Sequence, residues 1–355
     1  SHLTAEIYEI HNRNKFEIYG FYFGPAIQDE MNLRIKAGVD YFHDVRTLSN
    51  KDVATFARTI ELDIAVDLGG FTQYSRTGIF ALSVAPIQIS YIGYLGTMGA
   101  NYYDYLIADQ TIIPIKTQKY YSEKIAYLPI YQSNDSTQSP PEIFFTRQEL
   151  GLPEKGFVFC CFNNTYKITP TIFDSWGRIL EGVDGSVLLI NVNNESTKIN
   201  LIKETALRGI NPSRLIFGEK LPKPEYLARL RVANLFLDTQ PYSAGTVASD
   251  ALRMGLPVLT CIGKSFASRM ASSVLNAVNL PELITTSQEE YESLAIELAT
   301  NPEKLKIIED KLESNLPVAP LYDTPMFTKN LESAYSIMYE RHQQSLDADH
   351  IYVTN

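Results

Sequence analysis

No stretch of this sequence is long and apolar enough to cross a bilayer. The best candidates, around Ala81–Ile92 and Leu256–Ile262, are broken by Pro, Ser or Gln, short of the roughly 18 residues a span needs. No signal-peptide pattern opens the sequence, and no segment repeats at a period of roughly 20 to 50 residues. Positive charge is in short supply. The net charge is −10 and there is no basic stripe, which excludes the usual nucleic-acid binder. Cysteine is scarce too. Cys160, Cys161 and Cys261 are the three present. They lack metal-ligand spacing, and an odd count argues against a disulfide framework. They read as buried small hydrophobes in a reducing compartment. These absences lead us to expect a cytoplasmic protein with no membrane and no nucleic-acid partner.

What is present is ordinary globular composition, 45% hydrophobic and 20% charged over 355 residues, enough for two domains. Apolar runs alternate with helical patterns. Strands are expected at Phe16–Phe23, Tyr41–Val45, Ile64–Val66, Ile87–Ile92, Tyr105–Ala108 and Ile125–Leu128. Helices are expected near Ser1–His11, Gln28–Ala37, Lys51–Glu61 (capped by Ser49) and Thr77–Leu82. A polar, Pro-rich run, Gln132–Pro141, then reads as a linker. Strands resume at Phe157–Phe162, Ser186–Asn191, Arg214–Phe217 and Leu235–Leu237. Helices are expected at Thr169–Leu180, Glu195–Arg208, Pro224–Arg231 and Val247–Met254. Helices close the chain: Ser268–Ala277, Gln288–Asn301, Glu303–Glu313 and Thr324–Gln344, with Ser345–Asn355 as a tail. Such alternation implies open parallel sheets, hence an α/β class. We expect domains at 1–131 and 151–323, a linker at 132–150, and a C-terminal helix and tail at 324–355.

The densest signal is Asn234–Thr260, NLFLDTQPYSAGTVASDALRMGLPVLT. It reads strand, small-residue loop, helix, strand, with Thr246 as the expected N-cap. A small-residue loop before a helix leaves backbone N–H groups free at a positive helix end, a ready anion site. Asp250 falls one turn inside that helix. Its carboxylate suits a ribose diol, so the unit suggests a nucleotide diphosphate. Ligands of open parallel sheets bind at the carboxyl ends of the strands. The neighbouring segments there carry Asn164, Lys167, Lys223, Tyr226 and Arg229. Lys167 suits a phosphate, Tyr226 a stacked base, and Arg229 the base edge.

Longer motifs carry a family resemblance. The runs DLGGFTQYSRTGIFALSVAPIQISYIGYLGTMGANYYDYLIAD (Asp67–Asp109), YYSEKIAYLP (Tyr120–Pro129), FCCFNNTYKITP (Phe159–Pro170) and DTQPYSAGTVASDALRMGLPVLT (Asp238–Thr260) resemble the catalytic region of protein O-GlcNAc transferases and their bacterial relatives. The resemblance implies a GT-B fold: two facing Rossmann-like domains with a cleft between them, the nucleotide donor in the second, and a last helix crossing back. It implies an inverting, metal-independent transfer of a sugar from a UDP-sugar to Ser or Thr of a polypeptide, with no cofactor. By the same resemblance Lys167 and Asn164 lie beside the donor phosphates, and Lys223 beside the nucleotide. Tyr226 stacks on uracil, and Arg229 meets its edge. Gly245, Thr246 and Val247 form the helix tip on the β-phosphate, and Asp250 binds ribose. Thr97 and Gly99 lie in a loop resembling the sugar-facing loop of the first domain.

The chain departs from that pattern in places. Leu95 stands for a common Pro, Ser83 for a common Arg, and Val247 for a common Thr. In the family a strand and an Asn-His-Pro loop precede a Ser-His-Leu. Here Ser1-His2-Leu3 opens the chain, so we expect a piece of a longer protein that also carries helical repeats. His2 is then the histidine expected nearest the site. Asp67, at a strand end before Gly69-Gly70, is expected to contact acceptor or sugar. The other histidines (His11, His43, His342 and His350) read as structural, and Asp347-Ala348-Asp349 as a chance match to a metal motif. The rivals are a UDP-sugar epimerase of the same shape and a nucleotide-sugar-binding module without catalysis. GlcNAc is the expected sugar and glucose the alternative.

Overall fold

Apolar runs of four to five residues that are buried on both faces pair most readily as parallel strands covered by helices. That is how this chain folds. The computed structural model describes residues 2–27 and 29–354, so the expected helix starts at Ser1 and Gln28 lie outside the described residues. The chain divides into two compact units, Ser1–Ser136 with Pro320–Asn355, and Thr137–Ala319.

In the first unit, β1 (Tyr19–Tyr22) and β2 (Tyr41–Asp44) form a parallel pair. β3 (Ile64–Asp67), β4 (Ile87–Ser90), β5 (Tyr105–Ala108) and β6 (Lys124–Tyr127) pair side by side, all parallel. The helix Asn50–Thr59 begins at the expected Ser49, whose hydroxyl and Asp52 form a reciprocal capping box. The helix expected over Thr77–Leu82 is reduced to one 3-10 turn, Phe80–Leu82, closed by Ser83 in a left-handed conformation (φ 55°).

In the second unit, β7 (Val158–Cys161), β8 (Val187–Asn191), β9 (Leu215–Gly218), β10 (Leu235–Leu237), β11 (Val258–Cys261) and β12 (Ile284–Thr285) form a six-stranded sheet in the order β12-β11-β10-β7-β8-β9. The pairings are all parallel. The chain runs outward from β7 through β9, then restarts on the other side of β7 with β10. The order therefore reverses between β7 and β10, and in such sheets that point opens a crevice at the carboxyl ends of the strands. Cys160, Cys161 and Cys261 are free thiols buried in this sheet.

Two expectations need correction. Residues 132–150 do not form a linker throughout. Gln132, Ser133 and Asn134 are buried in the first unit. Asn134 N donates to Leu321 O at 2.8 Å, and Ser133 Oγ lies 3.2 Å from Thr324 Oγ1. Ser133 and Asn134 hydrogen-bond to the segment entering the helix Thr324–Gln343, whereas Ser136, Thr137, Ser139 and Pro140 are exposed, as expected of a linker. The tail is also structured. Ile351–Tyr352 forms β13, which pairs parallel to β6 and closes the sheet as β13-β6-β5-β4-β3. Two residues carry too little pattern to read as a strand alone; the open edge of β6 supplies the partner. Ile351 is 4% exposed. Replacing it with Ala is expected to cost the first unit about 2 kcal/mol, read as a lower urea midpoint. An unchanged midpoint would show that the tail strand contributes nothing.

Candidate functional site

The second unit's site is built around the carboxyl ends of β7 and β10. Just past β10, Asp238 turns inward and is 1% exposed. Its Oδ1 accepts from Thr239 N (2.8 Å), Ala244 N (2.8 Å) and Asn163 Nδ2 (3.1 Å), and its Oδ2 from Thr260 Oγ1 (2.7 Å). Burial pushes this carboxyl's pKa up, against those hydrogen bonds and the nearby Lys167 charge. The effect is to fold the loop 239–244 back over its own strand. Neither Asp238 nor Asn163 stood out in the sequence. The available signal was a polar residue directly after an apolar strand at the crevice.

Lys167 ends the 3-10 turn Thr165–Lys167. Its Nζ donates to Ser243 O at 3.1 Å and sits 3.8 Å from the Tyr242 ring centroid, a cation–π contact. Burial pushes the amine's pKa below its ordinary value, and the Asp238 charge opposes that. The helix Thr246–Arg253 follows with Gly245 as its N-cap and no capping side chain. The expected cap, Thr246, is already the first helical residue, because Gly245 makes the turn (φ −109°, ψ −89°). The tip of this helix, with half-buried Gly245, Thr246 and Val247, carries the positive end of its dipole.

One turn in, Asp250 is buried and pairs with Lys223 Nζ at 2.6 Å. Lys223 starts the helix Lys223–Leu230. Its amine lies 5.2 Å from the Tyr226 ring, which itself lies 6.1 Å from Phe162. Burial, then the Asp250 charge, pushes the Tyr226 phenol up. Lys223, Tyr226 and Asp250 are thus brought together as expected from the motifs.

Arg229 is placed differently. It is 2% exposed. Nη1 donates to Glu219 O (2.8 Å) and Nη2 to Asn191 Oδ1 (2.6 Å), with the guanidinium 4.8 Å from the Phe162 ring. Only its Nε lacks an acceptor. Its helix register puts Leu227 to Leu230 inside, so the side chain braces β8 and β9 from within. Asn164 is exposed at the start of the 3-10 turn and caps nothing; its buried neighbour Asn163 makes the contacts to Asp238 and Thr239.

In the first unit, Asp67 is turned onto its own loop. It is 3% exposed. Gly69 N (2.9 Å) and Gly70 N (3.0 Å) donate to Oδ1, and the Tyr103 hydroxyl to Oδ2. A carboxylate so occupied caps its own turn. Thr97 is tied to Glu123, with Oγ1 to Oε2 at 2.6 Å, and receives Gly99 N at 3.0 Å. His2 is exposed ahead of the helix Ala5–Ile10. Among the described residues no group of three or more His, Cys, Asp or Glu is gathered as for a metal ion. A hollow of about 480 Å³ lined by Gly151, Gly185 and Arg214 lies at the amino ends of β8 and β9, the wrong edge of the sheet for such a ligand.

The family model described as Glycosyl transferase family 41 matches residues 1–139 and 131–331. The chain belongs to glycosyl transferase family 41. This family 41 chain is 33% identical over 360 residues to the probable UDP-N-acetylglucosamine–peptide N-acetylglucosaminyltransferase SEC of Arabidopsis thaliana, covering 99% of the chain and 37% of that protein. It is 30% identical to the SPINDLY protein of Oryza sativa subsp. japonica, named likewise as a probable peptide N-acetylglucosaminyltransferase, over 90% of the chain and 35% of that protein. Among solved structures it superposes on a mutant O-GlcNAc transferase of Thermobaculum terrenum with a TM-score of 0.87 and 29% identity, covering 97% of the chain and 65% of the other. Anabaena HepE in complex with UDP and glucose gives a TM-score of 0.59 at 13% identity, covering 90% of the chain and 91% of the other, a likeness of fold. The fold is of the GT-B class. The family 41 chain spans less than two-fifths of these curated relatives.

Arg229 needs Gly218. A Cβ there would sit 2.6 Å from Nη1 and 3.0 Å from Asn191 Oδ1. Gly218→Ala is expected to destabilise the second unit by about 1–3 kcal/mol through this overpacking, read by thermal melting. A parent-like melt would mean that the guanidinium is free to move.

Proposed function

We propose that the protein is an inverting, metal-independent glycosyltransferase that moves a sugar from a UDP-sugar to Ser or Thr of a polypeptide. GlcNAc is the proposed sugar and the cytoplasm the proposed compartment. One observation carries the reading. A half-buried lysine and an uncapped helix start converge at the crevice of the second unit, with a buried carboxylate one turn further on.

The transfer leaves charge on the departing UDP. Fixed donors aimed at that charge lower the barrier. Lys167 and the N–H groups at Gly245, Thr246 and Val247 are assigned to the diphosphate. Asp250 is assigned to the ribose hydroxyls, with Lys223 balancing its charge. Tyr226 is assigned to the base, and Arg229 acts from behind through Asn191 and Glu219. Asn164 borders the phosphates. The first unit supplies the sugar and acceptor side through the segment Gly93–Gly99. The acceptor hydroxyl attacks the anomeric carbon from the face opposite UDP, forming the new C–O bond as the bond to phosphate oxygen breaks. The peptide transferases at 33% and 30% identity support this reading over the epimerase. A putative UDP-N-acetylglucosamine 2-epimerase from Listeria monocytogenes is like the chain in fold alone, at 12% identity. Incubating the full-length protein with labelled UDP-sugars and a peptide pool tests the proposal. Epimerised sugar, or binding without transfer, would replace it.

Lys167→Ala is expected to lower kcat/KM by about 3 kcal/mol, on the order of a hundredfold; a parent-like rate would remove Lys167 from the diphosphate. Its ammonium is the active form, and burial shifts its pKa downward. The rate is therefore expected to fall as pH rises through a value lower than that of an ordinary lysine. An alkaline limb at the ordinary value would contradict this. Asp250→Asn keeps the size but removes the charge, and UDP affinity is expected to drop by about 1.5–3 kcal/mol. Titration with UDP and 2′-deoxy-UDP checks it: equal binding of both by parent and mutant would take Asp250 off the ribose. Activity is expected to persist in excess EDTA, and loss restored by Mn²⁺ or Mg²⁺ would overturn the metal-independent mechanism.

A further inference from the structure

The first unit contains a second buried carboxylate, held by neutral donors. Glu123 is 2% exposed. Its Oε2 receives the Thr97 hydroxyl (2.6 Å) and the Ser122 hydroxyl (3.1 Å), and its Oε1 the Met98 amide (2.5 Å). Ionised, it is a pure acceptor, and these three donors replace the water it lost on burial. Losing one of them leaves a buried charge under-solvated, which is costly.

The Thr97 hydroxyl is fully committed. It gives its single proton to Glu123 and accepts from Gly99 N (3.0 Å) and Ser122 N (3.3 Å). One donor and two lone pairs are then all used, so this side chain has nothing left for a ligand. What it does is hold Gly99 in a left-handed conformation, φ 63°, which glycine tolerates best. Met98, whose amide Glu123 also takes, is buried in the core with Tyr103 and Phe80. At its other end the segment packs tightly on the turn that Asp67 caps: a Cβ on Gly93 would lie 2.2 Å from Leu68 O. The segment Gly93–Gly99 is therefore clamped at both ends, with the Thr97 hydroxyl engaged inside the protein.

We propose that Glu123 is a positioning residue. Acting through Thr97 and Met98, it sets the backbone of residues 96–99 for the sugar or acceptor side of the reaction. This rests on the transferase reading above. The experiment uses the full-length protein with Glu123→Gln, Thr97→Val, the double variant and Thr97→Ser. It reads transfer rate, UDP affinity by calorimetry, and amide exchange at Met98 and Gly99. We expect Glu123→Gln to lower kcat/KM at least about tenfold, to leave UDP affinity within about twofold, and to speed exchange at Met98 and Gly99. Thr97→Ser should behave as the parent and Thr97→Val as Glu123→Gln. The double variant should be no worse than the worse single one. Parent-like rate and exchange in Glu123→Gln, additive losses, or a matching fall in UDP affinity would each overturn the proposal. If Glu123→Gln does not fold, Glu123→Asp, which keeps the charge but shortens its reach, carries the same readings. A parent that neither binds UDP nor transfers sugar would sink the transferase reading instead, and the exchange measurement would still judge the clamp.

Discussion

The second unit depends on the burial of one charge. Removing a carboxylate from water costs several kcal/mol unless hydrogen bonds replace the lost solvent. At Asp238 they do: donors arrive from the end of β7, from β11 and from the loop that follows its own strand. Satisfying that charge obliges the loop to curl, and the curl delivers Gly245 to the start of its helix without a side-chain cap. The core supports the arrangement from below. Trp176 Nε1 donates to the Tyr291 hydroxyl (3.2 Å), which donates to Asp238 O (3.0 Å).

Lys167 inherits its character from the same centre. Its amine is held on Ser243 O and over Tyr242, both within the loop that Asp238 folds. Burial disfavours its charge while the Asp238 charge favours it. An ammonium in that balance is weakly solvated and gains strongly from an incoming anion, because attraction between charges grows as the local dielectric falls.

The second unit's sheet was legible because its central strands are apolar runs; Phe157–Phe162 and Leu235–Leu237 read directly. Lys167 and Asp250 could be singled out because they lie within the resembling segments, and Lys223 and Tyr226 because they lie on the loop and helix start at the same sheet edge; the structure brings Lys223, Tyr226 and Asp250 together. What the sequence hid was direction. Arg229 and Asp67 were assigned outward roles, yet helix register turns the first inward and the turn at Gly69-Gly70 claims the second. A one-residue shift separated Asn164 from Asn163, which faces the core. β13 was hidden because its hydrogen bonds come from β6, far away in the chain, and two residues carry no period of their own.

That late strand has a consequence for synthesis. The first unit's sheet is not complete until Ile351 and Tyr352 have been made, whereas every strand of the second unit lies within Thr137–Ala319. During vectorial translation the second unit therefore has its full set of strands while the first still waits for its last one. Closing β6 against β13 then means joining segments more than two hundred residues apart, and an already folded insert shortens that search, since loop-closure entropy counts only the chain that remains flexible.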